Sequence, residues 1–492
     1  MAFAPAEAFW LVPVCVAGLF MLLDGRRALS AGVLGLSFGI GWFGAGMWWI
    51  YSGLVRFTEA GAPFSGLLTA ALILYLSLFP AAACTGIALI KAPRGPLSWC
   101  VTASIFTLCE WLRATLFSGF PWLQLGDAQA GSVLGALAPL VGGLGITWIS
   151  TLLACLLADL LTGRRNWLAM AATCLTLGIT MTVASGVSWT HPAGQLSLRL
   201  VQGNLPQFEK FTPEGADEAV RVYSSLAAGT PARLTVFPEA SLPFDWSGLP
   251  TPVLASWKEL STEQQSTLLI GSFARPEISH GGDVPNNSAL ALSPGSESPG
   301  YDYRYDKQHL VPFGEQAVPA ADWISRRLSI HYSQLQPGAS APEPLRVGDA
   351  RVAISICFED LFGTQTADKA RTAQLLVNLS NFSWFDGSYG AAQHFQVGRM
   401  RARETGRWFA QSANSGVTGI ADQNGNVRAA LPPEVRGVLD VEATLLQGET
   451  PFTRNGNVPL LVMCAIFVGW TVVRTRYVQV PGSTPRRQIK LR

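Results

Sequence analysis

The chain has 492 residues, of which 49% are hydrophobic and only 14% charged, against about a quarter charged in an ordinary soluble domain. That balance excludes a wholly soluble protein, and a formal net charge of +2 carries no electrostatic footprint of a nucleic-acid partner. The apolar excess falls in residues 8–187 and 457–474, which divides the chain into a membrane part, one globular domain and a returning anchor.

In chain order, apolar stretches at 8–23, 29–54, 64–90, 97–118, 131–161 and 167–187, then 457–474, predict seven crossings. Each is long enough, or nearly so, to span a ~30 Å hydrocarbon core at about 1.5 Å per residue. Arg26 and Arg27, Lys91 and Arg94, and Arg164 and Arg165 occupy every second loop. The tail adds Arg474, Arg476, Arg486, Arg487, Lys490 and Arg492. Positive loops stay in the cytoplasm, so these segments are expected inside and the globular domain outside. Met47 to Tyr51 supplies Trp and Tyr for the outer headgroup level. Seven crossings place the N-terminus outside, although residues 1–7 carry no export signal and no basic segment precedes the first apolar run. A further helix upstream, or hairpin insertion of the first segment, is the expected resolution. The expected boundaries are 1–190 for the helix bundle, 195–450 for the globular domain, 457–474 for the last helix and 475–492 for a basic cytoplasmic tail.

Glu110 and Arg113 lie three apart on a predicted helix and can share a face. Intramembrane charges are functional candidates by default; a structural pair is the preferred reading here, with headgroup binding the alternative.

After Pro192 the pattern changes to short strands, at 197–203, 233–237, 266–271, 287–292, 351–357, 374–379, 407–413, 417–421 and 436–441. Amphipathic segments at 214–227, 252–264 and 389–406 alternate with them, which predicts a layered α/β domain. Of eight cysteines, all but Cys357 lie in apolar segments, where a free thiol behaves as a small hydrophobe. A lone thiol in an exported domain has no internal disulfide partner, and catalysis is the leading reason for it.

Glu239 follows Leu-Thr-Val-Phe-Pro, Cys357 ends Arg-Val-Ala-Ile-Ser-Ile, and Lys307 lies in the run from Tyr305-Asp306 to Phe313-Gly314-Glu315, each just past or at the end of a short strand. Strand ends are where α/β sheets gather reacting groups. A thiol needs a base to take its proton and a cation to favour negative charge. Glu239 fits the base, and Lys307 the stabiliser of sulfur and oxyanion charge. His309 and His394 are lesser loop candidates. The histidines and the single exported cysteine show no metal spacing, so neither zinc nor a cofactor is expected.

With these flanks, Glu239, Lys307 and Cys357 resemble the Glu-Lys-Cys triad of the nitrilase (carbon–nitrogen hydrolase) superfamily. A fuller resemblance is to the apolipoprotein N-acyltransferase family. It is carried by Gly41-Trp42-Phe43-Gly44, Gly119 to Gln124, Gln202-Gly203-Asn204, Phe237-Pro238-Glu239, Lys307 to Glu315, Cys357-Phe358-Glu359, Asn378 to Asn381 with Trp384-Phe385, and Arg454 to Asn457. The resemblance implies a multi-pass α-helical membrane domain plus an exported nitrilase-like αββα sandwich, in the inner membrane, with catalysis on the periplasmic side. It also implies a monomer that takes an acyl chain from a phospholipid, typically phosphatidylethanolamine, as a thioester on Cys357. The acceptor it implies is the N-terminal amine of a diacylglyceryl-cysteine lipoprotein. By position, Glu239 is the base, Lys307 the oxyanion stabiliser and Cys357 the nucleophile, with Glu315 as a second essential carboxylate.

Glu359 is expected to support the thiol, against the alternative of a solvated loop carboxylate. Phe358 stands where many relatives have tyrosine, and Phe211 where tryptophan is common; the family's first membrane helix is expected to be absent or truncated. Leu242, Phe244, Trp246, Phe313, Trp384 and Phe385 are candidates for a dry acyl entrance, with core or interfacial packing as the alternative. Leaving acyl chains in lipid avoids a cost of about 0.8 kcal/mol per methylene, and a dry entrance also protects a thioester from water. Two rivals stand beside transfer. One is a membrane-tethered nitrilase-like amidase or hydrolase; the other is an inactive lipid-binding scaffold.

Overall fold

The long apolar runs fold as helices: α1 (Leu11–Leu23), α2 (Ala28–Met47), the amphipathic α3 (Trp49–Phe57), α4 (Gly61–Ile90), α5 (Pro96–Arg113), α6 (Ala138–Leu161) and α7 (Trp167–Gly186). The computed structural model describes residues 1–478 apart from 58–60, 91–94, 165, 208, 276–283, 313, 316–334 and 339–342. Leu168, Leu175, Ile179 and Val183 stand exposed along α7, as a helix facing lipid requires. Among the described residues five stretches are long and apolar enough to cross a membrane: Ala28–Met47, Gly61–Ile90, Val133–Leu161, Trp167–Gly186 and Val458–Thr475. Two of the seven expected crossings are not among them. With 13 residues α1 is about 20 Å long, short of a full span, and α5 ends on the buried charges Glu110 and Arg113.

The second part is built on two sheets of six strands. Its strands are β1 (His191–Gln202), β2 (Leu234–Val236), β3 (Thr267–Ala274), β4 (Asn286–Leu292), β5 (Tyr303–Asp306), β6 (Leu345–Val347), β7 (Ala350–Ile356), β8 (Leu375–Ser380), β9 (Trp408–Ala413), β10 (Gly419–Ala421), β11 (Val427–Ala430) and β12 (Gly437–Gln447). The orders are β12-β1-β2-β3-β4-β5 and β11-β10-β9-β8-β7-β6. In each, three central strands run parallel and the flanking pairs are antiparallel. The facing sides share one apolar core, with Leu198, Leu200 and Val236 from one sheet against Val352, Ile354, Val377 and Leu379 from the other. Helices α8 (Pro213–Ala227) and α9 (Thr251–Gln264) cover the first sheet through Tyr223, Phe237 and Trp257. Helices α10 (Gly363–Ala370) and α11 (Gly390–Thr405) cover the second through Ala370, Leu376, Phe395 and Phe409. The result is a four-layer αββα sandwich. The chain then turns through α12 (Pro451–Asn455) into α13 (Val458–Val478).

The predicted strands are present, and β5, β6 and β11 are additional. Each is a short strand at a sheet edge, and in β5 polar side chains interrupt the apolar alternation on which a strand is recognised. Phe313 lies outside the described residues, as do Lys91, Arg94, Arg165 and the basic tail from 479 onward.

The sandwich rests on the helices through α11, whose buried face is polar. Arg401 binds Asp127 at 2.9 Å and Glu404 at 3.0 Å, and Glu404 Oε1 accepts from the Gly143 amide at 2.6 Å. Gly142 breaks α6 at φ +66°, where a side chain would collide with the Phe452 ring. At the seam, Phe43, Met47, Trp49 and Trp122 from the helical part pack with Phe358, Leu361, Phe362 and Phe382 from the sandwich.

Candidate active site

Three strands from two sheets deliver the central residues. Glu239 follows β2, Lys307 follows β5, and Cys357 follows β7. Segment 238–240 lies hard against β3 because residue 271 is glycine: a Cβ there would fall 2.1 Å from the Pro238 carbonyl oxygen. Lys307 is fixed by backbone, its amide donating to the Asn287 carbonyl at 2.8 Å.

The Lys307 side chain is 1% exposed. Its Nζ donates to Glu239 Oε1 at 3.0 Å and to Glu315 Oε1 at 2.8 Å. Asn287 Nδ2 reaches the same two oxygens at 2.8 and 2.9 Å, and Glu315 Oε2 accepts from the Val311 amide at 2.8 Å. Burial pulls against the Lys307 charge, but the two carboxylates outweigh it and hold the ammonium protonated well above the usual lysine range. Glu239 accepts both bonds on Oε1, so among the described residues Oε2 takes none.

Cys357 stands at φ +49°, a left-handed backbone that costs a non-glycine residue on the order of 1–3 kcal/mol. The strand stops there and the turn Cys357–Leu361 begins, a sharp elbow that lifts a side chain clear of the sheet. Asn378 Nδ2 and His394 Nε2 meet the Cys357 carbonyl at 3.2 and 3.1 Å. Burial and the Glu239 and Glu315 carboxylates push the thiol above its ordinary value, with Lys307 opposing. These surroundings favour the protonated thiol, near the Glu239 carboxylate, where the sequence pattern pointed to a favoured thiolate.

Glu359 is buried, which removes the solvated-loop alternative. Its carboxylate accepts from the amides of Ile356 and Gln308, both at 2.8 Å, from the His309 amide at 3.3 Å, and from the Tyr305 hydroxyl at 2.7 Å. One side chain thus ties the Cys357 elbow to the Lys307 segment. Burial opposes its ionisation, but Lys369 and these donors outweigh that and lower its pKa.

Phe358 is buried in the seam, 5.8 Å from the Phe120 ring. Phe385 is also at the seam, 4.7 Å from the Trp49 ring, and Trp384 is partly exposed beside it. Phe211 is half exposed, over Lys210. Leu242 and Trp246 are buried beneath α8 and α9, with Phe244 packed against them, which is the core-packing alternative for these three. The His309 ring packs tilted against Phe362, 3.7 Å between centroids, and meets Ser118 Oγ at 3.0 Å. Glu110 and Arg113 form a buried bidentate pair at 2.8 and 3.0 Å, and Arg113 also donates to the Phe120 and Trp122 carbonyls. The structural reading holds, and the pair fixes the Gly119–Gln124 loop.

Asn287 and Lys210 were not singled out by sequence. Lys210 is buried with Nζ donating to the Ala240 carbonyl at 2.9 Å, and burial pulls it down to about 8 against the attraction of Glu239. The only sequence signals were its place after Gln202-Gly203-Asn204 and the position of Asn287 in a strand paired to the Lys307 segment.

The family model of the carbon–nitrogen hydrolases matches residues 197–448, and that of the apolipoprotein N-acyltransferase N-terminal domain matches residues 1–156. An apolipoprotein N-acyltransferase of Nitrosomonas europaea is 37% identical over 468 residues, 92% of this chain and 91% of its own. The one of Ralstonia nicotianae is 34% identical over 471 residues, 94% and 88% of the two chains. Among solved structures, Saccharomyces cerevisiae Nit3, a member of branch 10 of the nitrilase superfamily, is similar over 60% of this chain and 98% of its own, at 15% identity and a TM-score of 0.39. With both parts matched and such relatives spanning over nine-tenths of its length, the chain belongs to the apolipoprotein N-acyltransferase family.

Proposed function

We propose that this membrane N-acyltransferase works through a Cys357 thioester, with Glu239 as general base and Lys307 as oxyanion stabiliser. The observation that carries the reading is one buried ammonium clamped between two carboxylates beside the only thiol of the sandwich, where the sandwich meets the helices. Glu239 Oε2 takes the thiol proton as sulfur bonds to the ester carbonyl carbon, and Lys307 stabilises the oxyanion. The carbon–oxygen bond then breaks, and the leaving alkoxide recovers the proton as a lysophospholipid. In the second half, a neutral amine attacks the thioester. Its proton passes by Glu239 to the departing sulfur, leaving an amide and the free thiol.

Phosphatidylethanolamine is the proposed donor and the amine of a diacylglyceryl-cysteine lipoprotein the proposed acceptor. The protein acts as a monomer in the inner membrane, with the sandwich (195–450) on the periplasmic side, helices at 1–190 and 457–474, and a cytoplasmic tail at 475–492. In support, Arg164 pairs with Asp24, which joins the loops bearing Arg26 and Arg164 at one end of the bundle, while Glu7 pairs with Arg399 of the sandwich at the other. Incubation with labelled phospholipid alone tests the outcome. A transferase stalls after one hydroxylamine-sensitive acylation that Cys357→Ser lacks, whereas continuous turnover would mean a hydrolase and no label would mean a scaffold.

A further inference from the structure

His394 is wholly buried, and its imidazole Nε2 lies 3.1 Å from the Cys357 carbonyl oxygen and 2.8 Å from Asp360 Oδ1. Both neighbours are acceptors, so Nε2 carries the proton and donates. Only the Cys357 carbonyl takes it in hydrogen-bond geometry. The other face of the arrangement belongs to the helical part. The Trp122 ring is stacked with the imidazole at 5.9 Å and 17°, and its Nε1 donates to Gln393 Oε1 at 2.8 Å. Gln393 in turn donates to the Gly46 carbonyl at 3.1 Å. Trp122 is itself held by Arg113 through its carbonyl at 2.8 Å.

The geometry points to His394 as a positioning residue that holds the left-handed backbone of Cys357 in place and transmits to it the seating of the Gly119–Gln124 loop. A strained backbone persists only where its surroundings over-determine it. Asn378 supplies one clamp on the Cys357 carbonyl from within the sheet, and His394 supplies the other from the helix that meets the membrane part. The nucleophile is thereby poised only when the sandwich is seated on the helices, where the lipid substrates arrive. His394 touches neither the reacting atoms nor the proposed proton path.

This inference rests on Cys357 being the nucleophile, and the test separates the two. In the full-length protein in detergent, with phosphatidylethanolamine as the probe, the rate of acylation at the Cys357 peptide is followed by mass spectrometry. His394→Gln places an amide donor where Nε2 was, whereas His394→Asn reaches only as far as Nδ1. We expect His394→Leu and His394→Asn to acylate about 100-fold more slowly, the cost of misplacing a nucleophile. KM for the donor should stay within about twofold, since ground-state binding is untouched, and His394→Gln should recover to within about tenfold of wild type. Wild-type rates in the Asn variant, or a Gln variant no faster than Asn, overturn the positioning role; that contrast decides it even where the Leu variant fails to fold. Retained transfer in Cys357→Ala would instead overturn the thioester itself.

Discussion

At position 357 the chain combines an uncommon backbone with a thiol held above its usual pKa by burial and the neighbouring carboxylates. A thiol in that state has less thiolate at any given pH than a free cysteine, so its alkylation should lag behind a model thiol across pH 7–9 and rise only above it. A Cys357 peptide modified by iodoacetamide as fast as free cysteine at pH 8 would contradict this. Lys307→Ala should cost about 100- to 1000-fold in acylation, as for a lost oxyanion donor. Lys307→Arg should also fail, because a planar fork cannot occupy the place of a compact ammonium between two carboxylates. Glu359 makes a different prediction. Its folded pKa lies below the ordinary carboxylate value, so it contributes stability above that value, lost as pH falls through the folded pKa. Glu359→Gln should flatten the acid limb of a denaturation-versus-pH profile and cost about 2 kcal/mol near neutrality.

Among elements, the long helices and central strands were the most legible, because a continuous apolar run or a run of β-branched residues admits few alternatives. Lys307 was legible as a strand-end residue, but the strand before it was not delimited: β5 is four residues of mixed polarity, held by pairing to β4, and pairing leaves no local mark. Glu239, Lys307 and Cys357 could be read as candidates because each sits in a dense motif. Asn287, Lys210 and the Glu359 donors could not, because their roles come from strand order and loop approach. The α5 end is a case where spacing did suffice, since Glu110 and Arg113 at i and i+3 are paired as expected. Arg113→Met would strand a buried carboxylate and release the Phe120 and Trp122 carbonyls, at a cost of about 3–5 kcal/mol. A double variant with Glu110→Gln should regain part of it; equal denaturation midpoints for wild type and Arg113→Met in detergent would refute the pairing.

For the molecule as a whole, the helices hold the sandwich with the Cys357–Leu361 turn at their seam, through contacts that mix aromatic packing with the buried Asp127–Arg401–Glu404 cluster. The division into two parts was plain from composition, whereas this contact was not, because the residues that make it are more than 200 positions apart. The most direct measurement is the intact mass of the protein after exposure to phosphatidylethanolamine, followed by a lipoprotein-derived diacylglyceryl-cysteine peptide. One acyl chain should be gained at Cys357 and lost again as the peptide gains it, with no change in Cys357→Ser. An acceptor peptide acylated normally by the serine variant, or an acyl group placed on another residue, would contradict the account.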